Sequence, residues 1–524
     1  MAAGSPESSV FWAHIEKRRD FLVFSCLLLA GFSIYVSPRW HYFHSDEVVW
    51  FHALHAQNDA PLLWREFWTG SPWDYRPLKS LYLVTLHKIL GDWSEAFHAT
   101  NVLLHAGSAI LVYLLALRLR LETVPAWLAA FLVVVHPAPY QAVRWVIDCA
   151  SLLQAFFCLL ALLPLLIYID GRRPLYLWLA LLAAIASMYS KESGIVALVL
   201  LPLADLLLAY SRNWKRLKAY WPVPMMLLIF LSLSLRDIPG WRQHLDQYYL
   251  GTHVLANLAY SLGFLLIPPD HFDDLFFLTS VAGILLVLAA IYSPRNRKIG
   301  IFLATWLVLA ALPTALFIHQ GSYNTTGRHS LAWLAPFALV LAFLFQRLVQ
   351  IGDARLKGLL SLGALGVATL ALTVMGVRTS KIAATPYETH PGPILYNYVV
   401  LSLMSYEGAD RYLAAELGCP ASAQMDEANL WGQKIENGQT NGIWVLQGEL
   451  VSGLSLAILG QREKAAIKFK KALQVLESHA SVQFVRGADV PLSRALQLTQ
   501  LWLQIPPVLV CEGHKSQSRN LTFE

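Results

Sequence analysis

The chain has 524 residues, of which 56% are hydrophobic and only 14% charged, and its mean hydropathy is +0.48. That balance excludes a water-soluble globule, which has no place to put so much apolar surface, and predicts a polytopic membrane protein. The formal charge of +6 is carried in short basic clumps between apolar runs, a pattern of membrane topology and not of nucleic-acid binding.

In chain order, Lys17, Arg18 and Arg19 precede the first apolar stretch, and no small-residue cleavage site follows it before Pro38-Arg39-Trp40. The first span is therefore expected to be retained. With about 20 apolar residues per crossing, the runs predict eleven spans, near 21–37, 97–117, 124–140, 146–169, 174–190, 194–210, 221–235, 276–293, 300–318, 331–349 and 359–377. Alternate connections carry the basic segments "EKRRD", "LRLR", "DGRRP", "SRNWKRLK", "SPRNRK" and "RLVQIGDARLK". Lys and Arg accumulate on the cytoplasmic side, so the N-terminus is expected inside, with 38–96, 236–275 and 319–330 outside. The odd span count then puts the chain from about Arg378 outside as well.

The expected fold is thus all-α and polytopic: a transmembrane bundle over 1–377, with outer loop 38–96, followed by an extracytoplasmic helical domain over 378–524. In that tail Asp, Glu, Gln and Asn become frequent and the continuous apolar runs stop. Its segment "GLSLAILGQREKAAIKFKKAL" places Gly453, Gly460, Ala465, Phe469 and Ala472 at the small-and-aromatic spacing of a tetratricopeptide (TPR) helix pair. One repeat cannot bury its own apolar face, so helices around 395–418 and 491–504 are expected to complete a stack. An ordinary helical hairpin is the other reading.

Five cysteines are present, and no CxxC pair or His/Cys spacing suggests a structural zinc site. Cys26 and Cys158 lie in apolar runs and read as small core residues. Cys419 and Cys511 lie beyond the membrane region and are placed to pair if that region is extracytoplasmic.

Ionisable groups at membrane depth are expensive, so those near outer span ends are candidates for function. The first set is Asp46-Glu47 in "FHSDEVVWFHALH". Consecutive side chains point in different directions, which suits one carboxylate to proton abstraction and the other to holding a ligand or cation; a solvated loop pair is the plain alternative. Both also offer oxygen ligands to a divalent cation, though two carboxylates do not by themselves establish such a site. In "WDYRPLKSLYL", Arg76 and Lys79 lie one helical turn apart, suited to a phosphate or to snorkelling at the bilayer surface. His98, Asn101 and His105 in "FHATNVLLHAG" form one polar stripe at i, i+3 and i+7, lining a cavity or bonding to a neighbouring helix. His136 and Arg144 lie in the break "HPAPYQAVRW", and Lys191-Glu192 and Arg328 complete the outer set. No P-loop, dinucleotide fingerprint, GxSxG elbow or HExxH occurs, so a membrane-delivered activated donor fits better than a soluble nucleotide.

These motifs, in this order, resemble the GT-C glycosyltransferases, in particular the protein O-mannosyltransferase-like branch that includes the transmembrane-and-TPR proteins. The resemblance covers roughly 40–330 and the tail: an acid pair, "YRPL", "FHATNVLLH", "HPAPYQAVRWV", "SKESG" and an arginine before a late span. It implies transfer of a sugar from a polyprenyl-phosphate carrier to an acceptor on the outer face. Asp46 would be the general base and Glu47 its support. Arg76, Lys191 and Arg328 would hold the carrier phosphate, while His98, Asn101 and His105 would shape the cavity wall. The acceptor would be protein, glycan or lipid, and the preferred setting is a bacterial inner membrane, with an endoplasmic-reticulum membrane as the alternative.

The chain departs from the family pattern at Gln141, at Cys149 and Ser151, and at Gly327, where charged residues are usual. A non-catalytic relative that binds or transports a lipid-linked substrate therefore stays open. So does a scaffold that recruits a protein partner through its helical tail.

Overall fold

The computed structural model describes residues 6–36, 47, 75–91, 93–209, 214–234, 251–266, 272–292, 297–316, 329–350, the helical stretch 372–380, 442–477 and 492–504, together with scattered helical positions between 358 and 433 and a few short strand residues. The chain divides into two compact units, Met1–Ser37 with Ala60–Ala384, and Pro38–Asp59 with Thr385–Glu524.

The first unit is helical because its apolar runs are rich in Leu and Ala, and because a lipid-embedded backbone must satisfy its hydrogen bonds within the segment. Its elements are α1 (Pro6–Tyr35), α2 (Pro77–Leu90), α3 (Ser94–Arg118), α4 (Thr123–Val135), the one-turn α5 (Tyr140–Arg144), α6 (Cys149–Gly171), α7 (Pro174–Ser190), α8 (Ile195–Leu208), α9 (Pro222–Ser234), α10 (His253–Phe264), α11 (Phe272–Ile291), α12 (Arg297–Ala315) and α13 (Leu331–Gln350). Three 3-10 turns, Val146–Asp148, Glu192–Gly194 and Trp214–Tyr220, join them. Four helical stretches among the described residues are long and apolar enough to cross a membrane: Ser94–Arg118, Val146–Gly171, Arg297–Ala315 and Leu331–Gln350. Each of the other expected spans also coincides with helix, in shorter or partly described form.

Two differences from the expected boundaries have local causes. The third span stops at Val135 and does not run to 140, because Pro137 disfavours helical backbone at His136, which is extended with φ −69° and ψ 132°. The expected outer loops 38–96 and 236–275 contain α2 and α10, helices of 14 and 12 residues that are too short to read as crossings.

The core of this unit is a continuous apolar cluster in which Trp306 and Trp333 are fully buried. α6 and α7 form a hairpin, α3 lies against α4 and α6, and α13 packs on α4 and α12. Buried polar bonds fix the packing: Ser187 Oγ donates to the Gln154 carbonyl at 2.8 Å, and Asn257 Nδ2 donates to the Ala315 carbonyl at 2.9 Å.

The second unit contains the hairpin of α14 (Gly442–Ile458) and α15 (Arg462–Glu477), followed by α16 (Leu492–Gln504). Gly460 turns the hairpin with φ +74°, a conformation glycine adopts without strain. A Cβ at Gly453 would come within 2.6 Å of the Phe469 ring, so glycine is what allows α14 and α15 to approach so closely. Ala465, Phe469 and Ala472 are buried in this interface, and Phe469 meets the Trp502 ring of α16. Two antiparallel pairs of two-residue strands, β1 (Val482–Gln483) with β2 (Asp489–Val490) and β3 (Leu509–Val510) with β4 (Thr522–Phe523), complete the described elements.

Candidate functional site

Two interruptions of helical backbone build the site. At the first, α4 gives way to His136-Pro137-Ala138-Pro139, then α5 and a 3-10 turn that ends at Asp148, directly before α6. His136 stabilises this break as a neutral imidazole: Nδ1 accepts from the Ala138 N–H at 3.1 Å, and Nε2 lies 3.1 Å from the Leu265 carbonyl. Asn101 of α3 donates to the Val143 and Trp145 carbonyls at 3.3 and 3.2 Å, tying the same break to its neighbour.

The second interruption is "SKESG". α7 ends at Ser190, Lys191 is extended, and the turn Glu192–Gly194 leads into α8. The chain folds back so tightly here that a Cβ on Gly194 would lie 2.2 Å from the Ser187 carbonyl oxygen. Only glycine fits that approach, and it is this turn that points Lys191 and Glu192 to different partners.

Lys191 is buried, and its Nζ donates to Ser151 Oγ at 2.7 Å. Ser151 Oγ in turn donates to Asp148 Oδ1 at 2.8 Å. The Lys191 ammonium lies 3.8 Å from that carboxylate oxygen and 3.3 Å from His329 Nδ1, at the start of α13. Glu192 takes the guanidinium fork of Arg76, with Nε to Oε2 at 2.9 Å and Nη2 to Oε1 at 2.7 Å. Burial would raise the Glu192 pKa, but the charge and hydrogen bonds of Arg76, with Lys191 beside it, outweigh that effect and hold the carboxyl at about 2. Two cations and two carboxylates thus join α2, α6, the α7–α8 turn and the start of α13 at one end of the bundle.

The remaining sequence candidates are distributed as follows. Lys79 is buried in the first turn of α2, and Arg144 is buried at the end of α5 beside Gln141. His98 and His105 are buried on α3, where the His105 ring meets the edge of Tyr35 at 5.5 Å. Asp46 and Arg328 lie outside the described residues; Glu47 is helical, fully buried and part of the second unit. Asp148 and His329 escaped the sequence reading. Their signal was faint: Asp148 in "WVIDCAS" is a lone acid at the mouth of an apolar run, directly beside Cys149. The acid stands one residue before Cys149 and accepts a hydrogen bond from Ser151. Among the described residues, no group of three or more His, Cys, Asp or Glu side chains is arranged to hold a metal ion.

Fold and site together define an α-helical integral-membrane protein with a charged, protein-lined cluster at one end of its membrane bundle. No family model matches the chain. Over 160 residues it is 32% identical to Protein O-mannosyl-transferase Tmtc1 of Drosophila melanogaster, a stretch that makes up 29% of this chain and 19% of the fly protein. The chain thus matches less than a fifth of that relative's length, and the match points to the same family that the ordered motifs resemble. Among solved structures, the chain is similar to the crystal structure of the Archaeoglobus fulgidus oligosaccharyltransferase with a tethered acceptor peptide, with a TM-score of 0.46 and 14% identity over 77% of this chain and 59% of that one.

Proposed function

We propose that this protein is an integral-membrane glycosyltransferase that moves a sugar from a polyprenyl-phosphate carrier to an acceptor hydroxyl on the extracytoplasmic face. The observation that carries the reading is the cluster of Arg76, Glu192, Lys191 and Asp148, assembled from the motifs "YRPL" and "SKESG" and from the acid two residues beyond "HPAPYQAVRWV" at one end of the bundle. The partial match to a protein O-mannosyl-transferase supports the same class.

In this reading the acceptor oxygen attacks the anomeric carbon as its proton passes to a carboxylate, and the carrier phosphate leaves with the electrons of the broken C–O bond. The resemblance gives Asp46 the part of base, with Glu47 in support. Arg76, Lys191 and Arg328 are assigned to the phosphate. A guanidinium fork recognises phosphate oxygens as it recognises a carboxylate, so Glu192 keeps Arg76 oriented until the carrier competes for it. The domain limits, the outward-facing site and a bacterial inner membrane belong to the same proposal.

The test is a transfer assay in nanodiscs, offering radiolabelled polyprenyl-phosphate sugars to a cell extract and comparing wild type with Asp46→Asn and Arg76→Gln. Label moved by wild type and lost in both variants is the expected result. A folded wild-type protein that binds the carrier but transfers no label would overturn the enzyme reading in favour of a carrier-binding relative.

A further inference from the structure

At the far end of α8, 13 residues beyond Glu192 and about 20 Å along the bundle at 1.5 Å per residue, Asp205 is almost completely buried. It accepts from Arg172 Nη2 at 2.8 Å, lies 3.5 Å from Arg216 Nη1, and accepts from the Tyr220 hydroxyl at 3.3 Å. Lys298 adds a bond to the Ala209 carbonyl at 3.0 Å. The α6–α7 turn, the 3-10 helix Trp214–Tyr220 and the start of α12 are thereby drawn together at this end.

Arg216 and Tyr220 pin the 3-10 helix inward, and that fixes what it presents outward. A 3-10 helix repeats every three residues, so Lys215, Lys218 and Trp221 fall on one edge, and all three are exposed. Trp221 extends the same turn, its N–H donating to the Lys218 carbonyl at 3.3 Å. Trp221 is 61% exposed and Trp214 68%. Arg173, Arg297 and Lys298 are also exposed in the neighbouring segments, where Asp170 is the exposed acid among the described residues.

Bulky indoles held out of the bundle beside lysines make poor solvent surface but match the boundary of a bilayer: indoles settle at headgroup level, and lysines attract anionic lipid. At about 2 Å rise per residue, the two lysines stand about 6 Å apart, close enough to reach one phosphodiester. We infer that the Lys215–Lys218–Trp221 edge is a binding site for the headgroup of an anionic phospholipid, held in shape by the Asp205 cluster and separate from the candidate transfer site.

The experiment uses the full-length protein in neutral detergent, titrated with dioctanoyl phosphatidylglycerol, dioctanoyl phosphatidylcholine or inorganic phosphate. Melting temperature and lipid retained in native mass spectra are the readouts. Phosphatidylglycerol is expected to raise the melting temperature and to be retained, and Lys215→Gln/Lys218→Gln should weaken its apparent affinity by about 10-fold or more. Trp221→Ala should weaken it too, whereas Lys88→Gln, on α2, should not. Equal responses to the two lipids, equal binding of inorganic phosphate, or unchanged affinity in both the lysine and the tryptophan variants would overturn the assignment.

Discussion

Arg76 and Glu192 are 116 residues apart in sequence and are joined by two hydrogen bonds of 2.9 and 2.7 Å. The pair links the start of α2 to the turn between α7 and α8. Both side chains are partly exposed, 22% and 30%, so its contribution should be moderate. A double-mutant cycle on Arg76→Ala and Glu192→Ala, read by thermal unfolding, is expected to give a coupling on the order of 1 kcal/mol. Arg76→Lys should not restore it, because an ammonium cannot reproduce the fork. A coupling indistinguishable from zero would mean that the pair does not hold these elements together.

Gly194→Ala should be among the most damaging small substitutions in the chain. Its Cβ would have to share space with backbone, 2.2 Å from the Ser187 carbonyl oxygen, so either α7 or the turn must move. A loss of about 2 kcal/mol or more is expected, with transfer activity falling alongside it. Gly171→Ala is the control, since nothing lies within 4 Å of its added methyl. Equal melting temperatures for the two variants would count against the close approach.

Asp148 and Lys191 form a buried pair, with side-chain exposures of 8% and 6%. Removing one partner strands the other's charge. Asp148→Ala is expected to cost about 3 kcal/mol, and Asp148→Ala/Lys191→Met to recover much of that loss. If the double variant is as unstable as the sum of the singles, the pair is not coupled. If the proposed transfer reading holds, loss of transfer should persist in the double variant even where stability returns.

Acidification should weaken the tie between α2 and the α7–α8 turn. Glu192 stands at about 2 against 4.5, so its contribution to stability is full above pH 4.5 and is lost as the pH falls toward 2. Melting temperatures across this range should show that decline flattened in Glu192→Gln. A wild-type profile that rises on acidification would contradict the assignment.

The apolar helices were legible because a membrane demands long apolar runs, and Arg76, Lys191 and Glu192 stood out in the sequence because charge beside such runs needs a reason. What the sequence hides is register between distant segments. Nothing in "WVIDCAS" says that Asp148 will meet Lys191, since a single acid before an apolar helix reads equally well as a cap. "SKESG" showed its charges, but the demand on Gly194 exists only once α7 folds back on the turn. "HPAPYQ" was legible as a break, yet its starting point depended on how strongly Pro137 restrains His136. Glu47 follows the bundle's first span closely in sequence, yet it belongs to the second unit.

The shortness of α4 has a further consequence. Thirteen residues make a helix about 20 Å long, while the hydrocarbon layer is about 30 Å thick. The chain after it, His136–Asp148, is partly non-helical, and peptide groups freed in such a stretch need protein or water to meet them. Asn101 does this for the Val143 and Trp145 carbonyls, which makes the break a polar notch walled by protein. In the proposed reading, such a notch would let a lipid-borne phosphate meet polar groups while its tail stays in the hydrocarbon.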